Sequence, residues 1–250
     1  MHFETGSHYS GHLGQEMGYN RYGHSGVPVI VFPSSGGSKD EFADFGMINA
    51  LNRFIEEGKI QVFTPESYDS QSWLNEHKSA HDQGQAHNAY DRYIIGEFLP
   101  HVRHLTGWQG KVIATGASMG GFHTMNFALR HPDVFGVAIA LSGVYDARFF
   151  TDEFGGDMSV YENSPIDYIW NMEDPWFLDQ YRQNHYIICV GQGAWEGPHV
   201  LDTRRLETAF DAKSIPAWFD YWGPDVPHDW DAWRDQIYYF FNELDRQGII

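Results

Sequence analysis

A single α/β domain spanning residues 1–250, built on a mostly parallel central sheet with helices on both faces, is the architecture this sequence predicts. Nearly continuous apolar runs such as Val27–Phe32, Gly136–Leu141 and His185–Val190 read as strands covered on both faces. Between them, apolar residues return at helical spacing, as in Tyr90, Ile94, Phe98, Val102 and Leu105. Strands alternating with amphipathic helices favour parallel pairing, and 250 residues can bury a substantial core.

Taken in order, residues 1–26 are rich in Gly, His, Ser and Tyr with short alternating stretches, which suits an antiparallel edge hairpin. The Val27–Phe32 strand ends in the loop Pro33–Ser38, and Phe42, Phe45, Ile48, Leu51 and Ile55 then follow a helical pattern. Ile60–Thr64 is the next strand, with Tyr68, Asp69, Ser72 and Trp73 in the loop after it. The long apolar stripe from Tyr90 to Leu105 predicts a helix kinked near Pro100, where the missing N–H breaks the ladder. Lys111–Thr115 forms a strand, and Phe122, Met125 and Leu129 continue as a helix. From 145 to 184 the pattern gives way to an acidic and aromatic insertion containing Phe149, Phe150, Tyr161, Trp170 and Trp176, which reads as a lid or wall. The strand His185–Val190, a helix near 199–213, the strand Ala217–Trp222 and a final helix carrying Trp230, Trp233, Ile237 and Leu244 complete the series.

Composition narrows the function. The net charge of −18 would repel a nucleic-acid backbone or an anionic membrane, so neither is an expected partner. A lone cysteine, Cys189, excludes an intramolecular disulfide framework and fits a reducing compartment. The amino terminus lacks a basic region followed by an apolar run, and no apolar stretch approaches the roughly 20 residues that span a bilayer. The expected location is therefore cytoplasmic, and a homo-oligomer is left open.

Chemistry enters at Gly116-Ala117-Ser118-Met119-Gly120-Gly121. Strand, Gly-x-Ser-x-Gly and helix together make a nucleophile elbow, whose tight turn exposes the hydroxyl and aims the first helical N–H groups at whatever it attacks. A serine hydroxyl is a poor nucleophile at neutral pH, so it needs a base and a carboxylate to orient that base. His228, placed after the last strand and before the last helix, is the base by position among fourteen histidines. Glu196, in the loop Gly191–Glu196, is the preferred acid; Asp202 and Asp225 are the alternatives. The Met119 N–H is the first oxyanion donor, with Ser35 or Gly36 supplying the second. Trp73 and Trp195, in loops flanking the site, are the candidates for substrate contact. No cofactor is expected, and a small-molecule ester is the expected substrate.

These residues resemble an esterase family of the α/β-hydrolase fold, which includes S-formylglutathione hydrolases, feruloyl esterases, enterobactin-type esterases and mycolyltransferases. The resemblance runs from about Gly26 to the carboxy terminus through the elbow, the Gly191–Glu196 segment, and His228-Asp229-Trp230 with Trp233. The mycolyltransferase branch similarly has a glutamate after Gly-x-Gly and a histidine followed by Trp-x-x-Trp, which favours Glu196 over Asp202. Residues Pro33–Ser38 depart from the oxyanion loop of those enzymes in their paired serines and paired glycines. The resemblance implies ester cleavage through an acyl-enzyme. Acyl transfer by the same triad, or a non-catalytic binding protein on the same fold, are the rival readings.

Other signals are weaker. His77 and His81, with His87 further on, and the pair His101 and His104 lack the carboxylates or the H-E-x-x-H spacing of a metal site, so no metal is expected. Cys189 lies inside an apolar strand and reads as a small core residue.

Overall fold

The structure, a computed structural model, describes residues 1–151 and 156–250. Its sheet has eight strands: β1 (Phe3–Ser10), β2 (Gln15–Tyr22), β3 (Val27–Phe32), β4 (Ile60–Pro65), β5 (Val112–Ala117), β6 (Phe135–Leu141), β7 (His185–Val190) and β8 (Trp218–Tyr221). They lie in the order β1-β2-β4-β3-β5-β6-β7-β8. The edge hairpin pairs antiparallel, as does β2 with β4, and every pairing from β4 to β8 is parallel. This is the mostly parallel α/β sheet expected.

Period-two alternation sorts the strand residues onto two apolar layers. Ile30, Phe32, Ala114, Ala138, Ala140 and Ile188 join one cluster, together with Tyr90, Phe127, Ile169 and Phe210 from helices. Val29, Val31, Ile113, Ile139, Leu141 and Cys189 face the other side, where Phe42, Phe54, Trp233, Ile237 and Phe241 cover them. Central strands thus bury both faces, which is why their sequences read as continuous apolar runs.

One helical expectation is corrected and a second is made more specific. Between β3 and β4 the chain forms three short helices, Glu41–Asp44, Met47–Ala50 and Asn52–Glu56, instead of one. Gly46 adopts φ 78°, which interrupts the ladder, and Phe45 turns outward to stack on Trp230 at 4.4 Å. The stripe from Tyr90 to Leu105 is a helix (Ala80–Tyr93), a π-helical stretch (Ile94–Phe98) and a second helix (Leu99–Thr106). Pro100 cannot donate to a carbonyl one turn back, and the wide turn just before it absorbs the mismatch.

The segment 145–184 includes residues 152–155, which lie outside the described residues. Its described part contains the 3₁₀ turn Ala147–Phe150 and the helices Met158–Tyr161, Pro165–Trp170 and Pro175–Gln183. Proline opens the last two, where a missing N–H costs nothing. Ile166, Ile169 and Tyr181 enter the same buried cluster as the strands.

Candidate active site

The carboxyl ends of the parallel strands converge on Ser118. The helix Met119–Arg130 begins immediately after it, and Ser118 itself is held at φ 58°, ψ −121°, a conformation that side-chain-bearing residues rarely adopt. Its N–H donates to the Leu141 carbonyl, which ties the turn to β6. The flanking glycines are steric requirements. A Cβ on Gly116 would sit 2.5 Å from the Gly120 carbonyl oxygen, and one on Gly120 would sit 2.2 Å from that of Phe32. The helix start is pressed against the end of β3, and only glycine allows the approach.

Ser118 Oγ lies 2.9 Å from His228 Nε2, and His228 Nδ1 lies 3.1 Å from Glu196 Oε2. The structure therefore brings together a serine, a histidine and a glutamate that are 110 and 32 residues apart in sequence. Backbone bonds hold the two loops in register: the Gly193 N–H donates to Val226 O at 2.8 Å, and the His228 N–H to Ala194 O at 2.9 Å. Glu196 is 1% exposed. Its Oε1 accepts from the Ser142 hydroxyl at 2.5 Å and the Gly191 N–H at 3.3 Å. Ser142 Oγ in turn accepts from Trp233 Nε1 at 3.0 Å. With Oε1 committed to those donors, Oε2 is left to accept from His228 Nδ1–H, which leaves Nε2 free to accept the serine proton.

The His228 ring is packed on two sides. Trp233 meets it edge-on at 4.8 Å and 86°, and His199 stacks on it at 4.1 Å and 24°. Burial, and then the neighbouring His228, push the His199 pKa down to about 4, so this ring is neutral at pH 7.

A cavity of about 820 Å³ opens beside Ser118, lined by Ser35, Met119, Trp73, Phe149, Phe150 and His199, with Glu76, Lys78, Ser79 and Gln83 making a polar side. Trp73 is only 2% exposed and packs against Phe122 and Phe150, so its role in the wall is partly structural. Trp195, by contrast, is 85% exposed and is absent from the cavity lining. Ser35 lines the cavity with Ser118, whereas Gly36 supplies the left-handed corner (φ 70°) of a turn closed by Gly37 N–H on Ser34 O. Met119 is the first helical residue, so its N–H has no intrahelical carbonyl to serve.

The alternative acids are employed elsewhere. Asp202 is buried and accepts from the Tyr145 and Asp146 N–H groups at 3.0 and 3.2 Å, with Arg205 at 3.0 Å. Asp225 is exposed beside Gly223. Of the surplus histidines, His81 pairs with Asp157 at 2.9 Å, His101 with the Tyr19 hydroxyl at 2.9 Å, and His87 is enclosed against Trp73 and His123. Cys189 is fully buried and its thiol pKa is pushed well up by that burial.

Sequence reasoning missed Ser142, His199 and Glu41. Glu41 clamps the loop after β3 by accepting from Ser34 N–H at 2.8 Å and Ser34 Oγ at 2.6 Å, and burial raises its carboxyl above the ordinary value. Ser142 carried one readable signal, its place just past the carboxyl end of a central strand. Among the described residues, four non-glycine residues have left-handed φ, and three of them, Ser118, Ser142 and Trp195, belong to or adjoin this cluster. Strained residues of this kind cluster at active sites, which makes this cluster the candidate.

Comparison with known proteins follows the same direction. A search of curated proteins finds no match. Among solved structures, a ferulic acid esterase superposes with a TM-score of 0.73 at 17% identity, covering 95% of each chain. The S-formylglutathione hydrolase of Staphylococcus aureus gives 0.70 at 19% identity over 98% of this chain and 99% of its own. That of Agrobacterium tumefaciens gives 0.74 at 16% identity over 96% and 93%. At these identities the likeness establishes the α/β fold. The family model described as "Putative esterase" matches residues 10–242, nearly the whole chain, and the protein therefore belongs to that esterase family.

Proposed function

We propose that this protein is a serine carboxylic-ester hydrolase that works through an acyl-enzyme. Ser118 Oγ attacks the acyl carbonyl while His228 Nε2 takes its proton; Glu196 holds the imidazole and offsets the charge that forms on it. The tetrahedral oxyanion is bound by the Met119 N–H and a second N–H from the Ser35–Gly36 turn, with Ser35 favoured because it lines the cavity beside Ser118. Each such donor is worth on the order of a hundredfold to a thousandfold in rate. His228 then returns the proton to the departing alcohol, and a water attacks the acyl-enzyme by the same route. Phe149, Phe150 and Trp73 form the apolar wall against which a small ester rests, so the start of the 145–184 segment serves as a wall of the site.

The observation that carries this reading is the unbroken line from Ser118 Oγ through His228 to Glu196, with contacts of 2.9 and 3.1 Å, at a serine held in a strained elbow. Labelling with a fluorophosphonate probe tests it. Wild-type protein should label and hydrolyse short p-nitrophenyl esters, Ser118→Ala should do neither, and His228→Ala should lose turnover. A folded wild type that resists the probe would overturn the proposal.

A further inference from the structure

We propose that Glu196, His199 and His228 form a capture site for a borderline divalent metal ion such as Zn²⁺, and that its occupancy switches the hydrolase off. One ligand atom from each of these residues lies within 4.8 Å of the other two. Two imidazoles and a carboxylate are a donor set that zinc takes at about 2.0–2.2 Å, with water able to complete the tetrahedron. Donors around such an ion stand about 3.3 Å apart, so the widest pair closes by at most roughly 1.5 Å, and the two rings, stacked at 24°, must also turn so that each in-plane lone pair meets the ion.

His199 supplies the second observation. Its Nδ1 is enclosed and makes no hydrogen bond of good geometry, with only the Ser142 and Gly143 backbone beside the ring, so turning it toward an ion gives up little. The residue sits in the first turn of the helix Gly197–Lys213, three places after Glu196, so one short stretch of backbone presents both donors to the same point. Its ring also lines the cavity that opens onto Ser118, which gives an ion a route in.

Capture acts directly on the catalytic line. Glu196 Oε2 and His228 Nδ1 are 3.1 Å apart across a shared proton. An entering ion replaces that proton, which leaves to solvent; the Nδ1 lone pair and the carboxylate oxygen become ligands, and no electron is transferred. A cation on Nδ1 withdraws density from Nε2 and turns the ring, so His228 no longer accepts from Ser118. The inhibitory half of this inference rests on the reading of Ser118, His228 and Glu196 as a working triad; the binding half does not.

Chelator-treated protein titrated with cobalt chloride, read by its visible absorption, and with zinc chloride, read by calorimetry, tests the site. Wild type should bind one equivalent, and p-nitrophenyl acetate hydrolysis should fall with occupancy and return with EDTA. His199→Phe keeps a flat ring against His228 and removes the nitrogens, so metal affinity and zinc inhibition should both weaken by at least about tenfold. His199→Ala repeats the comparison, and circular dichroism verifies that each variant is folded. Equal binding in wild type and both variants, or no stoichiometric binding, overturns the metal site. Binding that leaves fluorophosphonate labelling of Ser118 unchanged overturns the switch. Binding that depends on His199 in a protein that never labels, even metal-free, supports the metal site and overturns the hydrolase reading instead.

Discussion

Replacing Glu196 by glutamine tests whether the acid works as a double acceptor. The carboxylate has its Oε1 between Ser142 Oγ and the Gly191 N–H, at 2.5 and 3.3 Å, and its Oε2 facing His228 Nδ1 at 3.1 Å. Both ends must accept, and an amide has one accepting end. If the NH₂ faces His228, the imidazole is driven to the tautomer that directs Nε2–H at Ser118, and no base remains. If it turns the other way, it meets the Gly191 N–H and the buried Ser142 hydroxyl. Each unmade buried hydrogen bond costs about 1–3 kcal/mol, so the two clashes together amount to about 2–6 kcal/mol, or roughly 30-fold to 10⁴-fold in rate. The assay is kcat/KM for p-nitrophenyl acetate with thermal melts in parallel. Asp202→Asn should instead lose stability while keeping kcat, because Asp202 holds the Tyr145 and Asp146 backbone and does not touch His228. A Glu196→Gln enzyme retaining more than about a tenth of wild-type kcat/KM would refute the assignment, because the two unmade bonds together predict at least a roughly 30-fold loss.

Three further outcomes are expected. Ser142→Ala strands the Trp233 indole N–H and removes a donor from Glu196, so kcat should fall by about fivefold to a hundredfold with little change in KM. Gly120→Ala places a methyl 2.2 Å from the Phe32 carbonyl oxygen, an overpacking worth about 1–3 kcal/mol; the melting temperature should drop by roughly 3–10 °C and esterase activity should be lost as the elbow shifts. Stability should decline on acidification below about pH 6.5, because the unfolded chain takes up protons that buried His199 and His87 resist. For His199 the contribution is complete above pH 6.5 and lost as pH falls toward its folded pKa of about 4, at most about 3 kcal/mol by chemical denaturation across that window, and His199→Phe should flatten the slope.

Strand positions, the hairpin edge and the mostly parallel sheet were legible because burial on two faces writes itself into local sequence as unbroken apolar runs. The elbow was legible for a similar reason: steric demands at Gly116 and Gly120 admit only one residue type, so the motif is short and exact in spacing. His228 and Glu196 could be named from chain order, since each follows a strand at the carboxyl edge of the sheet.

What remained for the tertiary structure to decide was everything that depends on which side chains meet across elements. The run from Phe42 to Ile55 has helical periodicity, yet Gly46 and the stacking of Phe45 on Trp230 break it once, and Leu51, at φ −90° and ψ 0°, parts it again. Asp202 and Glu196 are both carboxylates near the head of one helix, and only the fold sends the first to the Tyr145 backbone and the second to His228. Trp195 reads as a candidate for substrate contact but stands in solvent. Ser142 and His199 carry no motif at all; they matter because a strand end and a helix start, more than fifty residues apart, bring them to Glu196 and His228. Local sequence determined the serine elbow and the sheet that presents it, because sterics and burial act residue by residue. The hydrogen-bonded shell around Glu196 and the ring stacked on His228 are long-range contacts, and those exist only once the chain has closed.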